Sequence, residues 1–447
     1  MGAELELLFT DLLSNGQGVA RAGEMAVFCF GPLPHERARV RISEVKRRYA
    51  VGEMIERLSD SSDRAEPFCR VFGECGGCQV QHLAYPAQLA WKQGIVRNAL
   101  ARIGGLNAVV GETIGMSNPR AYRNKMALVV DHAAAQARLG FYRQRSHDVV
   151  PIDTCPVVTP QLDATLGRIE ALSASDPVKH MLADARHIVA RSARTTGQVV
   201  VSVTTERQSR GAAQAARLLV EEAPWIVGVT NSFDLSSANA IAGRNHRVLC
   251  GTPEIEEEIG GVRYRVSAGS FFQINAEMVG RIFEFLSQRL GEPGSLVDLY
   301  CGIGTFALFF AKRGWNVVGV EENARAVAEA VANARLNGLE SRAAFVAARV
   351  ETALGTQPLR SALRRAPTVF LDPPRKGCDD VTLAAIARAR VPRLWYLSCD
   401  AATLARDLKF LAAKGYRLEI VQPFDMFPQT GHVETLVLLE YSDLVSR

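Results

Sequence analysis

The segment Asp298-Leu299-Tyr300-Cys301-Gly302-Ile303-Gly304-Thr305-Phe306 constrains this chain more than any other. An apolar run stops at a glycine turn and continues into a helix-forming stretch. An α/β sheet presents a nucleotide-like ligand to a helix N-terminus in this way. From about residue 260 onward, strands and helices alternate. Strands are expected at Leu296–Tyr300, Val317–Glu321, Ala343–Ala347, Thr368–Asp372, Leu394–Leu397, Arg417–Pro423 and Glu434–Tyr441. Such alternation implies a parallel sheet covered on both faces. The last two strands lack an intervening helix, which permits an antiparallel hairpin. Gly260-Gly261 reads as a hairpin turn, and Asn275 is placed to cap a helix over Ala276–Leu290.

Upstream the pattern differs. Residues 1–59 read as short strands punctuated by Asn15-Gly16 and Gly31-Pro32, which suggests a small barrel. Ser59–Asp63 is a polar linker. A helix is expected over Tyr85–Ile103, ended by Gly104-Gly105. Residues 120–250 look mixed α+β, with strands near Leu128–Asp131, Gln198–Thr204 and Trp225–Asn231 and a helix over Gln214–Glu222. A chain of 447 residues exceeds one ordinary core. The expectation is a multidomain α/β protein divided at 1–59, 60–259 and 260–447.

At 48% hydrophobic and 22% charged residues, the composition is that of a globular protein. No apolar run reaches the roughly 18 residues of a membrane-spanning helix. Met1–Asp11 carries Glu4, Glu6 and Asp11 and no basic stretch, so no secretory signal is expected and the location reads as cytoplasmic. The net charge of +5 is modest, but its distribution is uneven. Arg37, Arg39, Arg41, Lys46, Arg47 and Arg48 face one nearby acid, Glu44. Arg120, Arg123, Lys125, Arg138, Arg143 and Arg145 face one, Asp131. Tyr49, Tyr122, Phe141 and Tyr142 are interleaved. This suits phosphate contacts beside stacking surfaces, and equally a solvated basic face.

Nine cysteines in a cytoplasmic chain argue against a disulfide framework. Cys29 and Cys250 lie in apolar runs and read as packing residues. Cys69, Cys75 and Cys78, with a remote Cys155 next to Pro156, form a pattern typical of iron–sulfur ligation. Gly76-Gly77 lets the backbone pass close to such a group. Zinc held by Cys69, Cys75, Cys78 and His82 is the rival.

Cys399 follows the apolar strand Leu394–Leu397, at the carboxyl edge where open α/β sheets bind ligands. Asp372, held by Pro373-Pro374, and Glu434, opening the last strand, reach the same rim. Glu321 lies about 20 residues beyond the glycine turn, where an acid hydrogen-bonds ribose hydroxyls. The third glycine of a dinucleotide fingerprint is missing, with Phe306 following instead. S-adenosyl-L-methionine, which has a ribose and no phosphates, fits better than a dinucleotide.

Ser270–Asn275, Asp298–Phe306, Asp372–Gly377, Leu397–Asp400 and His432–Thr435 together resemble the RNA uracil-C5 methyltransferases in order and spacing. The resemblance extends upstream. Residues 1–59 are similar to the TRAM barrel of that family, an OB-like module. Tyr122–Lys125 and Leu139–Phe141 are similar to its central RNA-facing α+β domain. The resemblance implies a C-terminal Rossmann-like methyltransferase domain that uses S-adenosyl-L-methionine. It implies Cys399 as the thiolate nucleophile, Glu434 as the base that takes the C5 proton, and Asp372 as the group orienting uracil and methyl donor. Gln273, Tyr300, Thr305, Glu321 and Asp372 fall on cofactor positions, with Thr305 replacing an asparagine common in relatives. Cys301 and Cys378 are expected to be neighbours without a chemical role. The cysteine spacing matches ribosomal-RNA members, which hold a [4Fe–4S] cluster; transfer-RNA members commonly lack it. The implied activity is formation of 5-methyluridine in 23S ribosomal RNA, with no protein partner evident. Transfer RNA is the alternative substrate. A non-catalytic RNA-binding protein or chaperone, and an electron-transfer enzyme, are alternatives of other classes.

Overall fold

The computed structural model describes residues 2–133, 137–209, 211–237 and 240–442. Among them no helix is long and apolar enough to cross a membrane.

The N-terminal strands Glu4–Leu12, Gln17–Ala22, Met25–Phe30, Tyr49–Arg57 and Arg37–Val45 close into a barrel in that order. Alternation along each strand sends Leu7, Phe9, Ala20, Val27, Cys29, Val40 and Ile42 inward. Cys29 is thus a core residue, as its apolar context predicts.

The central sheet has seven strands in the order Asn245–Gly251, Ile226–Phe233, Val199–Thr205, Ala185–Ser192, Lys125–Asp131, Arg138–Tyr142 and Val149–Pro151. The strand Ala185–Ser192 at its middle, and the helices Pro160–Ala171 and Asp176–Asp184, are absent from the sequence reading. The two helices are short and weakly patterned, and the strand is buried on both sides, so it lacks alternation.

The C-terminal sheet runs in the order Ala343–Ala347, Asn316–Glu321, Ser295–Leu299, Thr368–Leu371, Arg393–Ser398, Glu434–Tyr441 and Tyr416–Phe424. The first five strands are parallel, and the last two add as the antiparallel hairpin that the missing helix permits. Side chains of single strands split between two cores. Leu296, Phe370, Trp395, Leu397, Leu436 and Leu438 enter one. Val297, Leu299, Val369, Leu371, Leu394, Tyr396 and Val437 enter the other. A sheet buried on both faces requires this division. Helix Thr305–Lys312 is buried at every residue from Thr305 to Ala311, which explains its apolar sequence.

Two features cross the expected divisions. The hairpin Glu254–Ile259 with Val262–Ser267 straddles residue 260. Helix Tyr85–Ala99 and its wider final turn, closed by the left-handed Gly105, place Val96 and Leu100 in the same core as Leu404 and Val421. The helix is bolted there by a fully buried ion pair, Lys92 Nζ to Asp425 Oδ1 at 2.5 Å, with a second bond from Lys92 to the Phe427 carbonyl.

Candidate active site

Strand register builds the site. Ser398 pairs with Thr435 across the antiparallel junction, so Cys399 leaves its strand where Glu434 enters the next. On the other side, Leu371 pairs with Tyr396, which brings Asp372 to the same edge. Asp400 caps the following helix by accepting from the Ala402 and Thr403 amides, which fixes the turn that carries Cys399.

Gln273 arrives from outside the sheet, on the segment before helix Ala276–Ser287. Asn275 caps that helix through the Met278 amide, as expected. Gln273 Nε2 donates to Asp372 Oδ2 at 3.2 Å. Asn124 of the central sheet holds this segment, donating from Nδ2 to the Gln273 carbonyl and from its amide to the Ile274 carbonyl. The sequence places Asn124 and Gln273 almost 150 residues apart, and only the fold joins them.

The rim is rich in buried acid. Glu434 is 2% exposed, and its Oε1 has no hydrogen-bond partner. Burial and the Asp372 carboxylate push Glu434 well above the usual carboxylate range, against the pull of Arg375. Burial raises Asp372 to about 7, opposed by the Gln273 hydrogen bond. Burial, then Glu434 and Asp372, push the Cys399 thiol up to about 12, and Arg375 is the cation that opposes them. Burial and like-charge repulsion thus favour the neutral forms of the thiol and of the carboxyls at this rim. Asp298, one strand away, is also buried with both side-chain oxygens unpartnered among the described residues, and burial, then the Asp372 carboxylate, push it well above the usual carboxylate range. Asp298 and Arg375 sit inside the quoted motifs, but neither stands out in the sequence as a site residue. Their signal is tertiary: an orphaned buried carboxylate, and one cation facing the thiol.

The glycine turn forms as expected. Gly302 and Gly304 take φ of +54° and +84°, and Tyr300 joins them at +68°. A Cβ on Gly302 would meet nothing within 4 Å, so open space lies over the turn, where a ligand fits. Glu321 Oε2 accepts from the Gly302 amide at 3.1 Å, and Oε1 accepts from Asn323. Tyr300 Oη lies 3.5 Å from Thr382 Oγ1. Thr305 opens helix Thr305–Lys312 and is buried, with its carbonyl accepting from Tyr264 Oη. Cys301 and Cys378 are buried, and burial pushes both thiols up.

The second cysteine set lies apart from this rim. Cys69, Cys75, Cys78 and Cys155 line one cavity of about 480 Å³, together with Arg123, Phe141 and Tyr142. Burial raises Cys78 to about 12 and Cys155 to about 11. Cys155 adds to the rise at Cys78, and Cys75 and Cys69 add to it at both. His82 does not line the cavity. It packs on Phe72, with both ring nitrogens buried and unpartnered. Four thiols without an oxygen or imidazole ligand make a soft donor set, suited to an iron–sulfur group more than to Cys3His zinc. Among the described residues, no three of His, Cys, Asp or Glu stand in a ligating arrangement, so these thiols do not form a closed cage.

The two basic segments separate in space. Four basic side chains of the barrel stretch pair on its own surface: Arg37 and Arg39 with Glu6, Arg39 also with Glu56, Arg41 with Glu4, and Lys46 with Glu44. In the central segment, Arg143 pairs with Glu74, Arg120 covers Phe68, and Arg145 covers Phe30 of the barrel. Arg123 and Lys125 remain without a carboxylate.

A nucleotide-type sheet with a thiol and acids at its rim is thus joined to a small barrel, and both parts match known families. Residues 84–442 match the tRNA (uracil-5-)-methyltransferase family, and residues 1–55 match the TRAM domain. The chain belongs to that family. It is 36% identical over 446 residues to an uncharacterized RNA methyltransferase of Halalkalibacterium halodurans, spanning 98% of this chain and 96% of that protein. It is 38% identical over 449 residues to one of Thermosynechococcus vestitus, spanning 99% of each. The solved structure of the Pyrococcus abyssi tRNA (uracil-54, C5)-methyltransferase in complex with S-adenosyl-L-homocysteine shares the fold. Its TM-score is 0.74 at 24% identity, over 97% of this chain and 100% of its own.

Proposed function

We propose that this protein forms 5-methyluridine in 23S ribosomal RNA, with Cys399 as the nucleophile and Glu434 as the base. The observation that carries this reading is the register that puts Cys399 beside Glu434, with Asp372 at the same edge. Glu321, Tyr300, Thr305 and Gln273, with the Gly302–Gly304 turn, would hold S-adenosyl-L-methionine, which would supply the methyl group as a sulfonium.

The residues divide the work as follows. Cys399 Sγ, its proton passed to solvent, bonds to C6 of the uracil, and the C5–C6 π electrons move into an enolate at C4, which makes C5 carbanion-like. C5 then bonds the methyl group as the bond from methyl to the sulfonium sulfur breaks, and a neutral thioether leaves. Glu434, as carboxylate, accepts the C5 proton, and the C6–S bond breaks to return the thiolate. Asp372, held by Gln273, orients the ring. A buried acid raised above its usual range is a poor base until a positive charge enters. A positive charge held near them would favour the ionised forms of Glu434 and Cys399.

Ribosomal RNA is preferred over transfer RNA because the four-thiol cavity matches the feature that accompanies ribosomal-RNA members of the resembled family. Cys69, Cys75, Cys78 and Cys155 would there hold a [4Fe–4S] cluster, with a structural or RNA-binding role, since methyl transfer needs no electrons. The three-part division at 59 and 259 belongs to the same reading. The barrel and central domain select the RNA, and the C-terminal domain carries out the chemistry.

The test is transfer of labelled methyl to 23S ribosomal RNA and bulk transfer RNA offered separately to anaerobically purified protein. 5-Methyluridine in ribosomal RNA alone is the expected result. The same product in transfer RNA alone overturns the substrate assignment, and none in either overturns the activity.

A further inference from the structure

One face of the central sheet carries an uncompensated charge. Lys125 is the cross-strand partner of Arg191, Ala127 of Val189, and Val189 in turn of Ser202. Directly paired residues share a face, so Lys125, Arg191, Val189, Ser202 and Thr204 project to the same side. A groove of about 350 Å³ lies on this side. Arg123, Lys125, Ser202 and Thr204 form part of its wall, and Ala268, Gly269 and Ile274 of the segment leading to the active site form another.

Among the described residues, the cations in and under this groove make no ion pair within salt-bridge distance. Lys125 makes no side-chain hydrogen bond or ion pair among the described residues. Burial, with Arg191 and Arg123 nearby, lowers it to about 8. Arg191 is fully buried, donates once to the Ser270 carbonyl at 2.6 Å, and leaves Nε and Nη1 unpaired. Arg123 Nε donates only to the Lys125 carbonyl at 3.2 Å. Glu329 is the carboxylate that faces Arg191; its Oε1 is engaged by Ser267, Ser270 and Arg325, and it offsets part of the Arg191 charge and none of that at Lys125. An uncompensated buried charge is strongly unfavourable, and an incoming anion relieves it.

Position says which anion. The groove wall continues through Ile274 to Gln273, whose amide bonds Asp372 at the reactive rim. Phe271 of the same segment is 72% exposed, an aromatic face available to a base. We infer that this groove is a phosphodiester site, in which Arg123 and Lys125 hold the RNA backbone next to the nucleotide presented to Cys399, with the charge of the buried Arg191 beneath them. The inference rests on the RNA substrate proposed above and adds the place where its backbone is gripped.

The test is equilibrium binding of the full chain, without methyl donor, to a labelled single-stranded RNA of about twenty nucleotides containing one uridine. A matched series replaces one phosphate at a time by neutral methylphosphonate. In the wild type, one linkage beside the uridine should be far more sensitive than the rest. Lys125→Gln should weaken binding about tenfold and reduce the salt slope by roughly 0.7, the value for one phosphate on a single strand. It should also lose that linkage's sensitivity, whereas Lys125→Arg should retain it. Unchanged affinity and slope in Lys125→Gln overturn the site. So does a wild-type series without a distinct linkage, a result that needs no variant to fold. Methyl transfer is measured on the same preparations. A binding loss in Lys125→Gln with no methylation by wild type sinks the proposed reaction and leaves the phosphate site standing. Normal methylation with no binding change sinks the site alone.

Discussion

Two buried clusters of like charge flank the segment 267–274. On its sheet-rim side stand Asp298, Asp372 and Glu434, acids that burial pushes up. On its central-sheet side stand Lys125 and Arg191, cations that burial pushes down. The barrel surface differs from both, since four of its basic side chains meet glutamates. Burying a charge without a partner is unfavourable. A fold keeps such groups where chemistry needs them, as proton carriers on one side and as anion receptors on the other. The fully buried Lys92–Asp425 pair shows the alternative, a charge buried for structure and satisfied within the chain.

The sharpest way to break this contrast is at the thiol. Cys399→Ala should reduce methyl transfer below about a thousandth of wild type while RNA affinity stays unchanged. Single-turnover transfer and a binding isotherm check the two halves. Glu434→Gln should slow turnover by about 10²–10³-fold, a typical range for a lost proton-transfer group. Release of tritium from uracil C5 should fall with it, and a denaturation-resistant protein–RNA adduct should accumulate. Loss of turnover without the adduct would reassign the base.

The buried pair gives a stability prediction of opposite sign to the cation groove. Lys92→Met strands Asp425 and should destabilise the fold by about 3–5 kcal/mol, measured by denaturant unfolding. Lys125→Gln removes a charge that has no partner, so its melting temperature should equal or exceed that of wild type.

The acid cluster predicts a pH signature at Cys399. With its pKa near 12, alkylation by iodoacetamide, followed on the Cys399 peptide, should climb about tenfold per pH unit between roughly 7 and 10. Asp372 raises that thiol and itself titrates near 7. Asp372→Asn should therefore speed alkylation several-fold at about pH 9, where the carboxylate is charged, and have little effect near pH 5, where it is neutral. The smallest effect belongs to the barrel. Arg39→Gln, which opens exposed pairs to Glu6 and Glu56, should alter RNA affinity by less than about twofold. A tenfold loss there would erase the distinction between the two basic segments.

Much of the scaffold is legible in the sequence because its signals are local. The glycine turn, the cap at Asn275, the hairpin at Gly260-Gly261 and the closing antiparallel pair follow from turn chemistry and periodicity. The central sheet is less legible. Ala185–Ser192 is buried on both sides, and its partners come from distant segments, so no short pattern marks it. The two basic stretches look alike in the sequence because pairing with Glu4, Glu6 and Glu56 depends on barrel register.

The sequence alone determined the parallel α/β body, the barrel, the motif order and the residue types at the rim, because each is written in a few neighbouring residues. Tertiary structure decided which charges were satisfied. It set Cys399 against Glu434 through strand register, tied Gln273 to Asn124 and Asp372, gathered Cys155 with the three clustered cysteines around one cavity, and left Lys125 without an ion pair and Arg191 with two unpaired nitrogens among the described residues. The physical reason is that desolvation and Coulomb interaction depend on distances between atoms that the chain brings together only when it folds.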